Sequence, residues 1–222
     1  MKLRRAIIAV AIIHSCQLGF AQDISNHVLL ESGLPLTNIT MIGKPVPSGD
    51  LIGSAMLFDT ISYASVYLAN DTKVESGVNI DLIRGILYFT HAQSYYSIPI
   101  QKLDSMFVGK VKYIVESIGN NYTVLEELVS GKYALYIQNQ IVVKEPDYNV
   151  ALDLGSRDTK IIQKISYLIK YKNHYYNSRS DRADFLKETD KNQILAFKKE
   201  NNLTWREQED LEVLVKFCNA EI

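Results

Sequence analysis

Residues 73–82 constrain the fold more than any other stretch. Lys73, Glu75, Gly77, Asn79 and Asp81 alternate with Val74, Ser76, Val78, Ile80 and Leu82. An extended chain sends successive side chains to opposite faces, so this order separates a polar face from a mainly apolar one. A helix would scatter the same apolar residues around its circumference. The pattern is that of a half-buried strand in an antiparallel sheet.

Similar segments recur from Leu51 to about Val143. Arg84-Gly85 can turn the chain, and Ile86-Leu87-Tyr88-Phe89 returns as the next strand. Tyr96, Ile98 and Ile100 alternate again, with Pro99 pushing that piece toward a sheet edge. Val111, Tyr113 and Val115 oppose Lys110, Lys112 and Glu116; Tyr133, Leu135 and Ile137 follow, then the β-branched run Ile141-Val142-Val143. Gly109, Gly119-Asn120-Asn121 and Gly131-Lys132 supply turns between them. Strands about every ten residues without intervening helices predict an antiparallel sheet, a sandwich or a small open barrel over 51–148. Residues 22–50, broken by Pro35, Pro45, Pro47 and three glycines, read as an irregular lead-in.

After the Pro146-Asp147 break the period changes. Ile165–Lys170 and His174–Ser178 form a hairpin turning through Lys172-Asn173. Asp190 can cap a helix holding Ile194, Leu195 and Phe197. Thr204-Trp205-Arg206-Glu207 reads as a capping box, in which Glu207 reaches back to the Thr204 amide. Leu211, Leu214, Val215 and Cys218 then fall at i, i+3, i+4 and i+7. The expectation is an α+β protein: an antiparallel β-domain, then over 157–222 a β-hairpin and about three short helices that dock on it. There is no internal repeat.

The N-terminus predicts export. Lys2, Arg4 and Arg5 precede the unbroken apolar run 6–13, and Gly19 and Ala21 place small residues before a cleavage point at Gln22. Residues 1–21 are therefore a signal peptide, and the expected compartment is periplasmic, outer-membrane-associated or secreted. A lipid anchor at Cys16 is the rival reading, since Ile13-His14-Ser15-Cys16 loosely follows a lipobox. No later segment is long and apolar enough for a membrane helix.

Charge is distributed unevenly. Without the three leader bases the chain holds 21 bases against 25 acids. Residues 22–156 carry 8 bases and 14 acids, whereas 157–222 carry 13 and 11. Neither segment has the basic excess of a nucleic-acid footprint.

Reactive constellations are not evident. His27, His91 and His174 lie in separate segments without metal-ligand spacing, and no G-x-S-x-G, S-x-x-K or glycine-rich phosphate loop occurs. Cys218 belongs to the apolar helix stripe and reads as a core thiol. No catalytic, cofactor-binding or metal residue is assigned. A carboxylate hydrolase stays open as an alternative, drawing on Asp59, Asp81, Asp104, Glu126 and Glu127. The most suggestive surface is on the hairpin, where Tyr171, Lys172, His174, Tyr175, Tyr176 and Arg179, with Tyr167 and Lys170, interleave bases and aromatics. Such a surface can stack on sugar rings while cations hold acidic groups, or it can simply bury one tyrosine face.

Gly53-Ser54-Ala55-Met56-Leu57-Phe58-Asp59, the Val78–Leu82 and Leu87–Phe89 hairpin, and the closing Glu209-Asp210-Leu211 to Leu214-Val215-Lys216-Phe217-Cys218-Asn219 carry a resemblance. From Gly53 onward the chain resembles a group of exported proteins of Bacteroidetes-type bacteria that have no assigned activity. The resemblance implies an exported β-rich protein with a helical tail and transfers no site residues. The expected function is a non-catalytic envelope or secreted protein binding a protein, glycan or lipid partner, with no nucleic acid. A structural or assembly subunit is the other alternative.

Overall fold

The computed structural model describes residues 40–42, 51–70, 72–91, 94–145, 154 and 158–221. The expected signal peptide, the Cys16 anchor, most of the lead-in and the Pro146-Asp147 break lie outside the described residues.

The described strands join into a single twelve-stranded sheet, antiparallel in every pairing but one. β1 (Thr40–Ile42), β6 (Ser94–Pro99), β5 (Ile86–His91), β4 (Lys73–Asp81) and β3 (Ser62–Leu68) lie side by side in that order. β7 (Leu103–Val108) pairs with the free edge of β3. From there β8 (Val111–Ile118), β9 (Asn121–Val129), β10 (Tyr133–Lys144), β11 (Thr159–Tyr171) and β12 (His174–Asn177) follow in sequence order. β2 (Leu51–Ile52) pairs in parallel with the start of β11. β1 thus arises within the expected irregular lead-in, on an edge that the rest of the sheet presents, whereas β2 opens the expected β-domain.

A short 3-10 turn, Ile100–Lys102, carries the chain from β6 into β7, beside β3. Ile100 is therefore turn and core rather than a continuation of the β6 alternation. Ala64, Val66, Val78, Ile80, Leu87, Phe89, Ile98 and Met106 bury the apolar face of β3–β7. Tyr113 on β8 and Val124 on β9 belong to the same cluster. In a flat sheet β9 lies four strand spacings, roughly 19 Å, from β4. Yet Gln163 of β11 donates to the Ser54 and Met56 carbonyls while Met56 bridges Asp81 at the end of β4, and the turn after β6 touches β9, so the sheet curls.

β10 and β11 pair from Tyr133↔Tyr171 to Lys144↔Lys160, so the last section continues the sheet of the first. Three helices, α1 (Arg182–Lys187), α2 (Lys191–Glu200) and α3 (Gln208–Glu221), cover one face of β9–β12. Leu211, Leu214, Val215 and Cys218 are fully buried there with Tyr133, Ile169 and Phe185. Burial pushes the Cys218 thiol up to about 11, so it stays protonated. The α2 cap is Asp190, whose carboxylate accepts the Gln193 amide at 3.1 Å. At α3 the box closes differently from the expectation. Thr204 Oγ1 accepts the Glu207 amide at 3.3 Å, but Asp210 Oδ2 takes the Thr204 amide at 2.8 Å in place of Glu207. The helix starts at Gln208, which moves the reciprocal carboxylate one turn further along. No described helix is long and apolar enough to cross a membrane.

Candidate functional site

Period two predicts Asn79 and Asp81 on a wet face of β4, yet both are buried, at 8% and 5% exposure. The chain before β3 folds over them. Leu57 N–H donates to the Ile80 carbonyl at 2.8 Å, and Leu82 N–H donates to Ala55 at 2.9 Å. The Asn79 carboxamide grips the same strap. Its Oδ1 accepts the Phe58 amide at 3.1 Å and its Nδ2 donates to the Phe58 carbonyl at 2.8 Å. Leu57 and Phe58 then pack on the sheet core, with Phe58 edge-on to Tyr113 at 5.6 Å. A polar strand face has become the anchor of a loop.

Past Phe58 the strap and the sheet leave a cleft of about 220 Å³. Gly77 and Asn79 of β4, Tyr88 and Thr90 of β5, and Tyr95 of β6 share the face beneath it. Asp59, Thr60 and Ile61 form the opposite wall. Gly77 creates part of the room: a Cβ there would stand 2.8 Å from Ile61 Cγ2 and 3.0 Å from Thr90 Oγ1. Tyr88 is buried, Tyr95 half-buried and Asp59 exposed, so an aromatic floor meets a rim carrying a carboxylate and threonine hydroxyls. That combination suits a small ligand with one apolar face and hydroxyl groups at its edge.

The hairpin surface divides in two. Register pairs Tyr171 with His174 and Ile169 with Tyr176, placing those four on the helix-facing side. Tyr171 is buried and stacks on Tyr133 with centroids 4.5 Å apart, and Tyr176 packs on Phe185 at 5.6 Å. Tyr175 pairs with Lys170 on the other side. There it joins Leu125, Ala134, Tyr136 and Leu168 in a smaller cluster. Lys172 lies over the Tyr171 ring at 4.9 Å, while His174 and Arg179 are exposed. Most of these tyrosines are thus engaged in packing, and the six residues are not gathered on one surface.

That smaller cluster is spanned by ion pairs. Lys170 Nζ on β11 meets Glu116 on β8 at 2.7 Å although two strands intervene, and Lys112 meets Glu127 at 3.3 Å. Burial, reinforced by Glu127, raises Tyr136 to about 12; burial and Glu116 likewise raise Tyr175. The Tyr175 hydroxyl has no hydrogen-bond partner among the described residues.

The five carboxylates considered for hydrolysis are spread out. Asp59 is on the cleft rim, and Asp104 lies on β7. Asp81 Oδ1 is occupied by the amides of Ile83 and Arg84, each at 2.9 Å. Glu126 and Glu127, consecutive on β9, point to opposite faces, one toward Tyr113 and the other to Lys112. Among the described residues no group of three or more His, Cys, Asp or Glu side chains is placed to hold a metal ion.

No protein-family model, curated protein or solved structure matches the chain.

In the sequence, only Gly77 hinted at the cleft, as a small residue inside an otherwise regular strand. Asp59 stood out only as one of five scattered carboxylates, and Thr60 and Ile61 carried no signal, because the strap that brings them over β4 is specified by tertiary contacts.

Proposed function

We propose that the protein is an exported, non-catalytic binding protein of the cell envelope or its surroundings, and that the strap cleft binds a single unit of a neutral glycan. The observation carrying this reading is the cleft itself, with its Tyr88 and Tyr95 floor, its Asp59, Thr60 and Thr90 rim, and its ring-sized volume of about 220 Å³. A sugar ring presents an apolar C–H face to an aromatic floor and hydroxyls to carboxylate and hydroxyl groups around it. A larger ligand would outgrow a space below the usual range of roughly 300–1,000 Å³.

The scaffold supports the role. Two opposed strap-to-strand backbone bonds and the Asn79 clamp hold the wall in register before any ligand arrives. The curled sheet reads as an open barrel-like roll, with the cleft on the face of β4–β6 opposite the Val78, Ile80 and Phe89 core. Export rests on the leader pattern of residues 1–21 and on the resemblance to exported Bacteroidetes-type proteins.

A glycan array probed with the purified protein tests the reading. Binding to a set of neutral saccharides, diminished in Asp59→Asn and Thr90→Val variants, supports it. Hydrolysis of any bound saccharide, abolished by Asp59→Asn, contradicts a non-catalytic role.

A further inference from the structure

The helical tail carries a second recess, remote in sequence from the cleft and independent of the glycan reading. Leu186 of α1 and Leu203 and Trp205 of the α2–α3 connection form its floor, and Leu195 of α2, 37% exposed, edges it. Arg182, Lys198 and Lys199 stand around a shallow volume of about 680 Å³. No carboxylate of the described residues lines it.

Among the described residues some cations are paired with carboxylates and others, those around the recess among them, are not. Lys73, Arg84, Lys112, Lys170, Lys187 and Lys216 each face a carboxylate within ion-pair distance. Arg182, Lys198 and Lys199 have no such partner among the described residues. Lys198 and Lys199 lie in the last turn of α2, where a cation favours the helix dipole. Arg182 begins α1, the end at which that effect is unfavourable, so helix stability does not account for it. Lys198 is also half-buried, its stem lying along the recess while the ammonium reaches the rim.

We infer that this recess receives an acidic segment of a partner protein, with one apolar side chain on the Leu186, Leu203 and Trp205 floor. Flanking carboxylates of that segment pair with Arg182, Lys198 and Lys199. Charge complementarity selects the acidic partner, and the apolar floor favours a peptide over an anionic polysaccharide, which has no side chain to bury there. A planar bilayer meets flat or convex surfaces and leaves a recess unfilled.

Trp205 is the single tryptophan of the chain, so its emission reports on the recess directly. The probe is the blocked peptide Asp-Glu-Asp-Leu-Glu-Asp-Glu, titrated into the full-length protein with calorimetry in parallel. Saturable binding with a Trp205 spectral change is expected. Lys198→Glu/Lys199→Glu should weaken it about tenfold or more, and Arg182→Gln several-fold, with folding verified by circular dichroism. Replacing the peptide leucine by serine should also weaken binding. Absence of binding to the wild type, equal binding by the charge-reversed protein, or preference for anionic phospholipid vesicles over the peptide would overturn the inference.

Discussion

The side chain of Asn219 treats Tyr133 as a neighbouring strand would. Its Oδ1 accepts the Tyr133 amide at 2.9 Å, and its Nδ2 donates to the Tyr133 carbonyl at 2.8 Å. The last helix is thereby fastened to the first residue of β10 by both backbone groups of one residue. Asn79 grips Phe58 in the same way at the strap. Two carboxamides, 140 residues apart, do equivalent work in docking irregular chain or helix on the sheet.

Asn219→Ala removes both bonds and strands a part-buried amide and carbonyl, so it should cost about 2–3 kcal/mol by urea unfolding. Gly131 is tied to the same contact. A Cβ at Gly131 would stand 2.7–2.8 Å from the Asn219 carboxamide, on a backbone with φ of 143°. Gly131→Ala should therefore destabilise as well, and the double variant should lose less than the sum of the two. Strict additivity would contradict a shared lock.

The strap prediction is local. Asn79→Asp keeps an acceptor for the Phe58 amide but has no donor for the Phe58 carbonyl. Hydrogen exchange at the Leu57 and Leu82 amides should accelerate about tenfold or more, while exchange in β9–β11 stays near wild type. Uniform acceleration throughout the sheet would mean that Asn79 supports global stability alone.

At α3 the two acidic residues can be separated. Asp210→Ala should cost about 1 kcal/mol, because it frees the Thr204 amide. Glu207→Gln should change stability by less than about 0.5 kcal/mol, since its side chain does not close the box. The reverse ranking in thermal unfolding would restore the sequence-based capping box.

Cys218 gives stability a pH dependence with a definite sign. Its thiol is raised from 9.0 to about 11 by burial, so folded and unfolded chains bind the proton equally well below pH 9. Between about pH 9 and 11 the unfolded thiol ionises first, and stability falls by up to about 2 kcal/mol. The drop from pH 8 to pH 11 should shrink in Cys218→Ala, although that variant is less stable at both values. Native Cys218 should also resist maleimide labelling at pH 8 and react after unfolding.

Much of the architecture was legible because it depends on periodicity. Alternation at 73–82 and its successors gave the antiparallel sheet, and the spacing of Leu211, Leu214, Val215 and Cys218 named the buried stripe of the last helix. The cleft was not legible. Its wall is a strap whose position depends on a distant carboxamide, and that carboxamide sits where period two predicts a solvated face. The hairpin tyrosines show a related limit: local order identified an aromatic cluster, but strand register and helix docking decided which rings were covered. The carboxylate exchange at Thr204 followed from a helix boundary shifted beyond the reach of Glu207.

The central claim concerns the cleft, and Gly77→Ala tests it most directly. Alanine suits an extended backbone at this position, yet its Cβ would press on Ile61 and Thr90 and fill the space beside them. Calorimetric titration of a neutral saccharide identified on the array should give saturable binding to the wild type. In a folded Gly77→Ala protein it should be at least about tenfold weaker. Equal affinity in the two proteins would contradict a glycan site in the strap cleft.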